Sequence, residues 1–95
     1  MRFSVGIKPG AIQDVENIRR QVSAEERPRI ELTSEFIVCV ELREDAHLKG
    51  DPSPQDPTFR RLRRGPLEVF YQLRPLDDRY LEVMHFRRVD ITQET

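Results

Sequence analysis

The sequence predicts an α+β fold in which two helices pack on one face of a small, mainly antiparallel β-sheet. Three observations predict it. Apolar residues alternate with small or polar ones over Phe3–Ile7 and again over Leu67–Leu73, the period of two of a half-buried strand. Between those stretches Ile12, Val15, Ile18 and Val22 recur at helical spacing. The chain has 95 residues, 37% hydrophobic and 35% charged, which is material for one core and not for two. Residues 1–95 are therefore read as a single domain.

The elements follow in order. Phe3-Ser4-Val5-Gly6-Ile7 is a strand, ended by Pro9-Gly10. A helix is predicted from about Ala11 to Val22, with Asp14 and Glu16 toward its positive N-terminal end. Ser23-Ala24-Glu25-Glu26 has the spacing of a capping box, but Pro28 would remove an N–H from a helix begun there. The second helix is placed instead at about Thr33–Leu48. Thr33 serves as its N-cap, Gly50 and Pro52 as its stop, and Val38, Cys39, Leu42 and Ala46 as its buried face. The rival reading of this stretch is a strand, from its β-branched Ile30, Thr33, Ile37, Val38 and Val40. Asp51–Pro57 carries three prolines in seven residues and is a loop. Phe59–Arg64 forms a basic strand, with Arg60, Leu62 and Arg64 on one face and Phe59, Arg61 and Arg63 on the other. Gly65-Pro66 turns the chain into Leu67–Leu73. A further turn at Pro75–Asp78 leads into a strand from Tyr80 to Phe86, carrying Leu81, Val83 and His85 on one face, and so completes a hairpin. The expected core joins Leu67, Val69, Tyr71, Leu81 and Val83 to Ile12, Val15, Ile18 and Leu42.

Composition excludes several function classes. The longest apolar run, Phe36–Val40, is five residues, whereas a bilayer span needs about 20. The start, Met1-Arg2-Phe3-Ser4-Val5-Gly6, lacks the apolar stretch of a signal peptide, and one cysteine makes no internal disulfide, so a cytoplasmic protein without membrane partners is expected. Net charge is −1, which argues against indiscriminate adhesion to nucleic acid. That average conceals a division. Residues 10–48 set five arginines against nine carboxylates, and residues 58–88 set eight arginines against four. Every base in the second stretch is arginine, the side chain best shaped for planar contacts with phosphate or carboxylate.

The residues able to carry chemistry are few. Cys39 lies in the longest apolar run and is expected to be a buried, inert thiol. His47 is expected to face a helix C-terminus. Two histidines 38 positions apart and one cysteine do not give a metal-ligand set, and no cofactor is expected. What remains is Arg60-Arg61-Leu62-Arg63-Arg64 and His85-Phe86-Arg87-Arg88. Strand pairing that joins them would build a site able to neutralise phosphate oxygens, with a histidine as proton-transfer group. His85 equally reads as a histidine at the edge of the core, sharing parity with Leu81 and Val83.

These segments resemble the RelE/ParE superfamily of bacterial toxins. Leu62-Arg63-Arg64-Gly65-Pro66-Leu67-Glu68-Val69-Phe70-Tyr71 is similar to the family's basic leucine segment, glycine and aromatic-Arg-Val-x-Tyr strand. Val83-Met84-His85-Phe86-Arg87-Arg88-Val89-Asp90 is similar to its closing strand, and Leu48-Lys49-Gly50-Asp51-Pro52 to the end of its second helix. The resemblance implies the toxin of a type II toxin–antitoxin module, neutralised by a cognate antitoxin and acting on ribosome-bound mRNA or on DNA gyrase. His85 and Arg87 or Arg88 match positions used in some members, and in a nuclease Arg61 or Arg63 and Arg88 would stabilise phosphate charge with His85 as the proton-transfer group. Glu68 stands where the family has a catalytic arginine, either as a general base or as the mark of a non-toxic binding module with the same fold. No residue after Arg88 matches the C-terminal tyrosine of several nucleases. Arg60, Arg61, Arg63, Arg64, Arg87 and Arg88 would contact nucleic acid or partner, and a nuclease of this kind would be independent of metal.

Overall fold

The computed structural model describes residues 1–74 and 79–89. A strand β1 (Ser4–Ile7) leads into helix α1 (Pro9–Gln21), helix α2 (Arg27–Cys39) and two 3₁₀ turns, Glu41–Arg43 and Ala46–Leu48. Four strands follow, β2 (Asp51–Pro52), β3 (Phe59–Arg64), β4 (Leu67–Leu73) and β5 (Tyr80–Arg88). The sheet runs β1-β5-β4-β3-β2, antiparallel throughout except that β1 lies parallel to β5. The α+β architecture of two helices and a mainly antiparallel sheet is as expected. The turn predicted at Pro75–Asp78 lies outside the described residues, as do residues 90–95.

The core lies between helices and sheet. Leu62, Leu67, Val69, Tyr71, Leu81, Val83 and Phe86 from the strands meet Ala11, Ile18, Val22, Ile30 and Ile37 from the helices. Full burial of a large apolar side chain is worth roughly 1.5–3 kcal/mol. Ile12 is a correction: it is 55% exposed, and Ala11 takes the inward position. The strand ends at Ile7 as expected, but the helix opens at Pro9 rather than Ala11, because the missing N–H of a proline in the first turn has no intrahelical partner to lose.

The second helix is shifted from its expected place at Thr33–Leu48 for the same reason. Arg27 and Pro28 are its first residues, so Pro28 sits where its lack of an N–H costs nothing. The Ser23 hydroxyl accepts the Glu26 N–H just before it, at 3.3 Å. Ile30 and Ile37, seven apart, form its buried edge. The helix stops at Cys39 with Val40 at φ −123° and ψ −63°, and the 3₁₀ turns then carry Leu42 and Ala46 into the core from a different direction. Cys39 is consequently exposed rather than buried. His47 lies in the second 3₁₀ turn rather than at the end of an α-helix, with its ring 5.5 Å from that of Phe3.

Two features fix the sheet's edges. Gly50 has φ +69°, and a Cβ there would collide with the Arg61 carbonyl of β3. The loop from Ala46 to Gly50 is held to the sheet by the buried Tyr71 hydroxyl, 2.8 Å from the Ala46 carbonyl and 2.9 Å from that of Lys49. Burial pushes the Tyr71 phenol upward from its ordinary pKa. Within the β4–β5 pairing the register shifts, Phe70 facing His85 while Tyr71 faces Val83. This bulge at Met84 reverses the inward and outward sides of the rest of β5. His85 is therefore exposed and Phe86 buried, so His85 is not the edge-of-core residue that its parity with Leu81 and Val83 implies.

Candidate functional site

The face of the sheet turned away from the helices carries two cross-strand rows. Arg63, Glu68 and Arg87 are paired in one, and Arg61, Phe70 and His85 in the next. Strands lie about 4.8 Å apart, so β4 separates the arginines of β3 from His85 by roughly 10 Å of backbone. The two basic segments share a face without touching as neighbours.

His85 is held at this face by a residue far away in sequence. Beyond Val83, whose carbonyl accepts the Lys8 N–H, β1 turns off into α1 and leaves the edge of β5 unpaired. Asp14 of α1 fills that edge. Its Oδ2 accepts the Phe86 N–H at 3.0 Å and lies 3.1 Å from His85 Nδ1. An ionised carboxylate only accepts hydrogen bonds, so Nδ1 is the donor and Nε2 keeps its lone pair for whatever approaches from solvent. The His85 side chain is 66% exposed.

Glu68 is mostly buried and accepts a hydrogen bond from the Arg87 guanidinium, which also lies over the Phe70 ring, 5.8 Å from its centroid. Arg61 is exposed beside Asp51 of β2, 3.9 Å away. The other candidate arginines point elsewhere. Arg60 shares the Leu62 side and donates to the carbonyls of Lys49 and Gly50 at 2.7 and 3.1 Å. Arg64, on the same side, pairs with Glu41 at 3.1 Å. Burial raises the Glu41 carboxyl, but hydrogen bonds from Arg64 and Lys49 outweigh it and hold the group below the usual carboxylate range. Arg88 pairs with Leu67 in register and reaches Glu26 before α2 at 3.4 Å, on the helix side of the sheet. The structure thus brings His85 together with Arg87, Glu68 and Phe70, with Arg61 and Arg63 across β4, and leaves Arg88 on the opposite face. Among the described residues no group of three or more His, Cys, Asp or Glu is arranged to hold a metal ion. No helix among them is long and apolar enough to cross a membrane.

Asp14 was not found by sequence reasoning. The signal was a carboxylate on the stripe that also holds Ala11, Val15 and Ile18, where an apolar residue is the rule.

The arrangement of strands and helices is similar to that of a chain in the toxin–antitoxin complex RelBE2 from Mycobacterium tuberculosis. The TM-score is 0.73 at 14% identity, over 94% of this chain and 100% of that one. The chain has a RelE-like fold. A chain of the chromosomal ParDE TA system from P. aeruginosa shares it, with a TM-score of 0.64 and 16% identity over 94% of this chain and 98% of that one. No family model matches the sequence, and no curated protein matches it. The likeness is therefore one of backbone arrangement, at 14% and 16% identity.

On the helix side, this RelE-like chain exposes an apolar groove between α1 and α2. Ile12, Val15, Val38, Cys39 and Phe86 line it, with a volume of about 270 Å³.

Proposed function

We propose that the protein is the toxin of a type II toxin–antitoxin module and that it cleaves ribosome-bound mRNA at the outer face of its sheet. The observation that carries this reading is His85, oriented by Asp14 on the same face as Arg61, Arg63 and Arg87, within a fold shared with chains of toxin–antitoxin complexes. The chemistry needs no metal. His85 Nε2 takes the proton of an RNA 2′-hydroxyl, whose oxygen bonds to the adjacent phosphorus as the bond from phosphorus to the 5′ oxygen breaks. The products are a 2′,3′-cyclic phosphate and a 5′-hydroxyl, the latter protonated by solvent or by the imidazolium. Arg87 and Arg61 stabilise charge gathering on the phosphate. Glu68 holds the Arg87 guanidinium over Phe70, and the exposed imidazole rather than this buried carboxylate moves the proton.

An antitoxin partner is supported by the same comparisons, since the two structures described above are named as a toxin–antitoxin complex and a TA system. Two surfaces suit it: the apolar groove between α1 and α2, which an amphipathic helix would fill, and the arginines of β3 and β5, which attract an acidic segment.

A second reading is favoured by Glu68. A carboxylate in the middle of the arginine row repels a phosphate chain, which fits either inhibition of DNA gyrase without cleavage or a non-toxic binding module. Induction of the gene without its neighbour, followed by mRNA cleavage in a purified translation system and by gyrase supercoiling, separates these. Growth arrest with mRNA cleavage that His85→Ala abolishes supports the nuclease. Inhibited supercoiling alone moves the protein to the gyrase class, and no growth defect leaves the binding module.

A further inference from the structure

A groove of about 470 Å³ opens where the short edge strand β2 and the loop after it meet the outer face of β3. Pro52, Pro54, Phe59 and Phe70 line it together with Asp51, Arg60 and Arg61. Phe59 and Phe70 belong to adjacent strands and share the outer face, Phe70 standing opposite Arg61 and Phe59 two residues before it. Phe59 is 37% exposed, an aromatic ring on a small sheet with one side open to water.

Arg60 is engaged by the Lys49 and Gly50 carbonyls, and Arg61 stays exposed on the outer face with Asp51 3.9 Å away, so the apolar surface of Phe59, Phe70 and the two prolines suits a flat, polar-edged ring while Arg61 is left to face a phosphate beside it. We infer that this groove is a base-binding subsite, which takes one unpaired nucleobase of a single-stranded RNA against Phe59 and the two prolines. Aromatic platforms beside arginines are how proteins hold unpaired bases. The strand's phosphates then run along the Arg61 and Arg87 side of the sheet, and the next nucleotide lies toward His85. The inference deepens the nuclease reading and rests on it for its place in the reaction, but the groove's occupancy is measured independently of cleavage.

The test uses the full chain and a fluorescein-labelled RNA octamer with 2′-O-methyl groups, which binds but has no nucleophile. Phe59→Ala should weaken binding about tenfold, since a base stacked on an aromatic side chain contributes on that scale. Phe59→Tyr, which keeps the ring, should bind like the wild type. A 4-thiouridine version of the oligonucleotide should crosslink within residues 51–61 of the wild-type protein, a readout that does not depend on any variant folding. Equal binding by wild type and Phe59→Ala overturns the subsite, as do crosslinks confined to other segments or no binding of the octamer at all. A proline-rich peptide that binds through Phe59 where RNA does not overturns it in favour of a protein ligand. Binding through Phe59 by a protein that cleaves nothing keeps the subsite and removes the nuclease reading. Cleavage whose KM is unmoved by Phe59→Ala does the reverse.

Discussion

One carboxylate oxygen of Asp14 serves both the Phe86 N–H and His85 Nδ1, so the residue that closes the edge of β5 is also the one that aims the imidazole. Position and chemistry are coupled through that atom. His85→Ala should lower cleavage by about 10²–10⁴-fold, the usual worth of a positioned acid or base, with the fold retained because the side chain is exposed. Asp14→Asn should lower it by a smaller factor and leave RNA binding unaltered. Single-turnover cleavage on both variants checks this, and equal rates in wild type and His85→Ala would remove the mechanism.

Glu68→Gln should strengthen RNA binding. Two unit charges 4 Å apart in water interact by about 1 kcal/mol, so removal of the carboxylate from beside a phosphate path is worth roughly fivefold in affinity. Its effect on stability should stay within about 1 kcal/mol, because the Arg87 partner is largely exposed. Binding measured against salt concentration checks the electrostatic origin, since the gain should shrink as salt rises.

Tyr71→Phe should destabilise the protein by about 1–2 kcal/mol, through loss of the buried donor that serves the Ala46 and Lys49 carbonyls. For a domain of this size each kcal/mol shifts the thermal midpoint by about 4–8 °C. Each carbonyl keeps another donor, Arg60 at Lys49 and the Lys49 N–H at Ala46, so the cost should lie toward the lower end of that range.

Gly50→Ala combines a left-handed backbone with a collision against the Arg61 carbonyl. A cost of about 1–3 kcal/mol or more is expected. Chemical denaturation of the variant gives the number, and a loss below 0.5 kcal/mol, on the order of an ordinary surface substitution, would show that the loop relaxes freely.

The Glu41 cluster predicts a pH dependence of stability. Its carboxyl is lower in the folded chain than its ordinary 4.5, so the unfolded chain binds a proton there first as pH falls. The stabilisation is present above about that value and disappears as pH drops through the folded value. The stability gap between wild type and Glu41→Gln should therefore narrow from pH 6 to pH 3 in urea denaturation.

The strands were legible because an alternating pattern specifies which side of a sheet is buried, as Leu67, Val69 and Tyr71 show. The helices were legible in kind but not in bounds, since a proline that breaks a helix interior is harmless in its first turn, and Pro9 and Pro28 both sit there. The site was half legible. The motif around His85 lies on the strand that carries the candidate site, but the extra residue at Met84 reverses its sides, exposing His85 and Arg87 on the outer face and sending Arg88 to Glu26. No local pattern encodes that bulge, and none links Asp14 to a strand 71 positions later.

The parallel pairing of β1 with β5 has a bearing on when the sheet is assembled during synthesis. The earliest strand and helix to leave a ribosome have no sheet to pack on until β5 follows, more than seventy residues later. β5 also carries His85 and Arg87. Contacts this distant along the chain form late and slowly, so a nascent chain has no assembled outer face before β5 has emerged. The outer face that bears His85 and Arg87 therefore comes together only after the chain has been made through Arg88, and until then the apolar side of β1 and α1 waits uncovered for its partner strand.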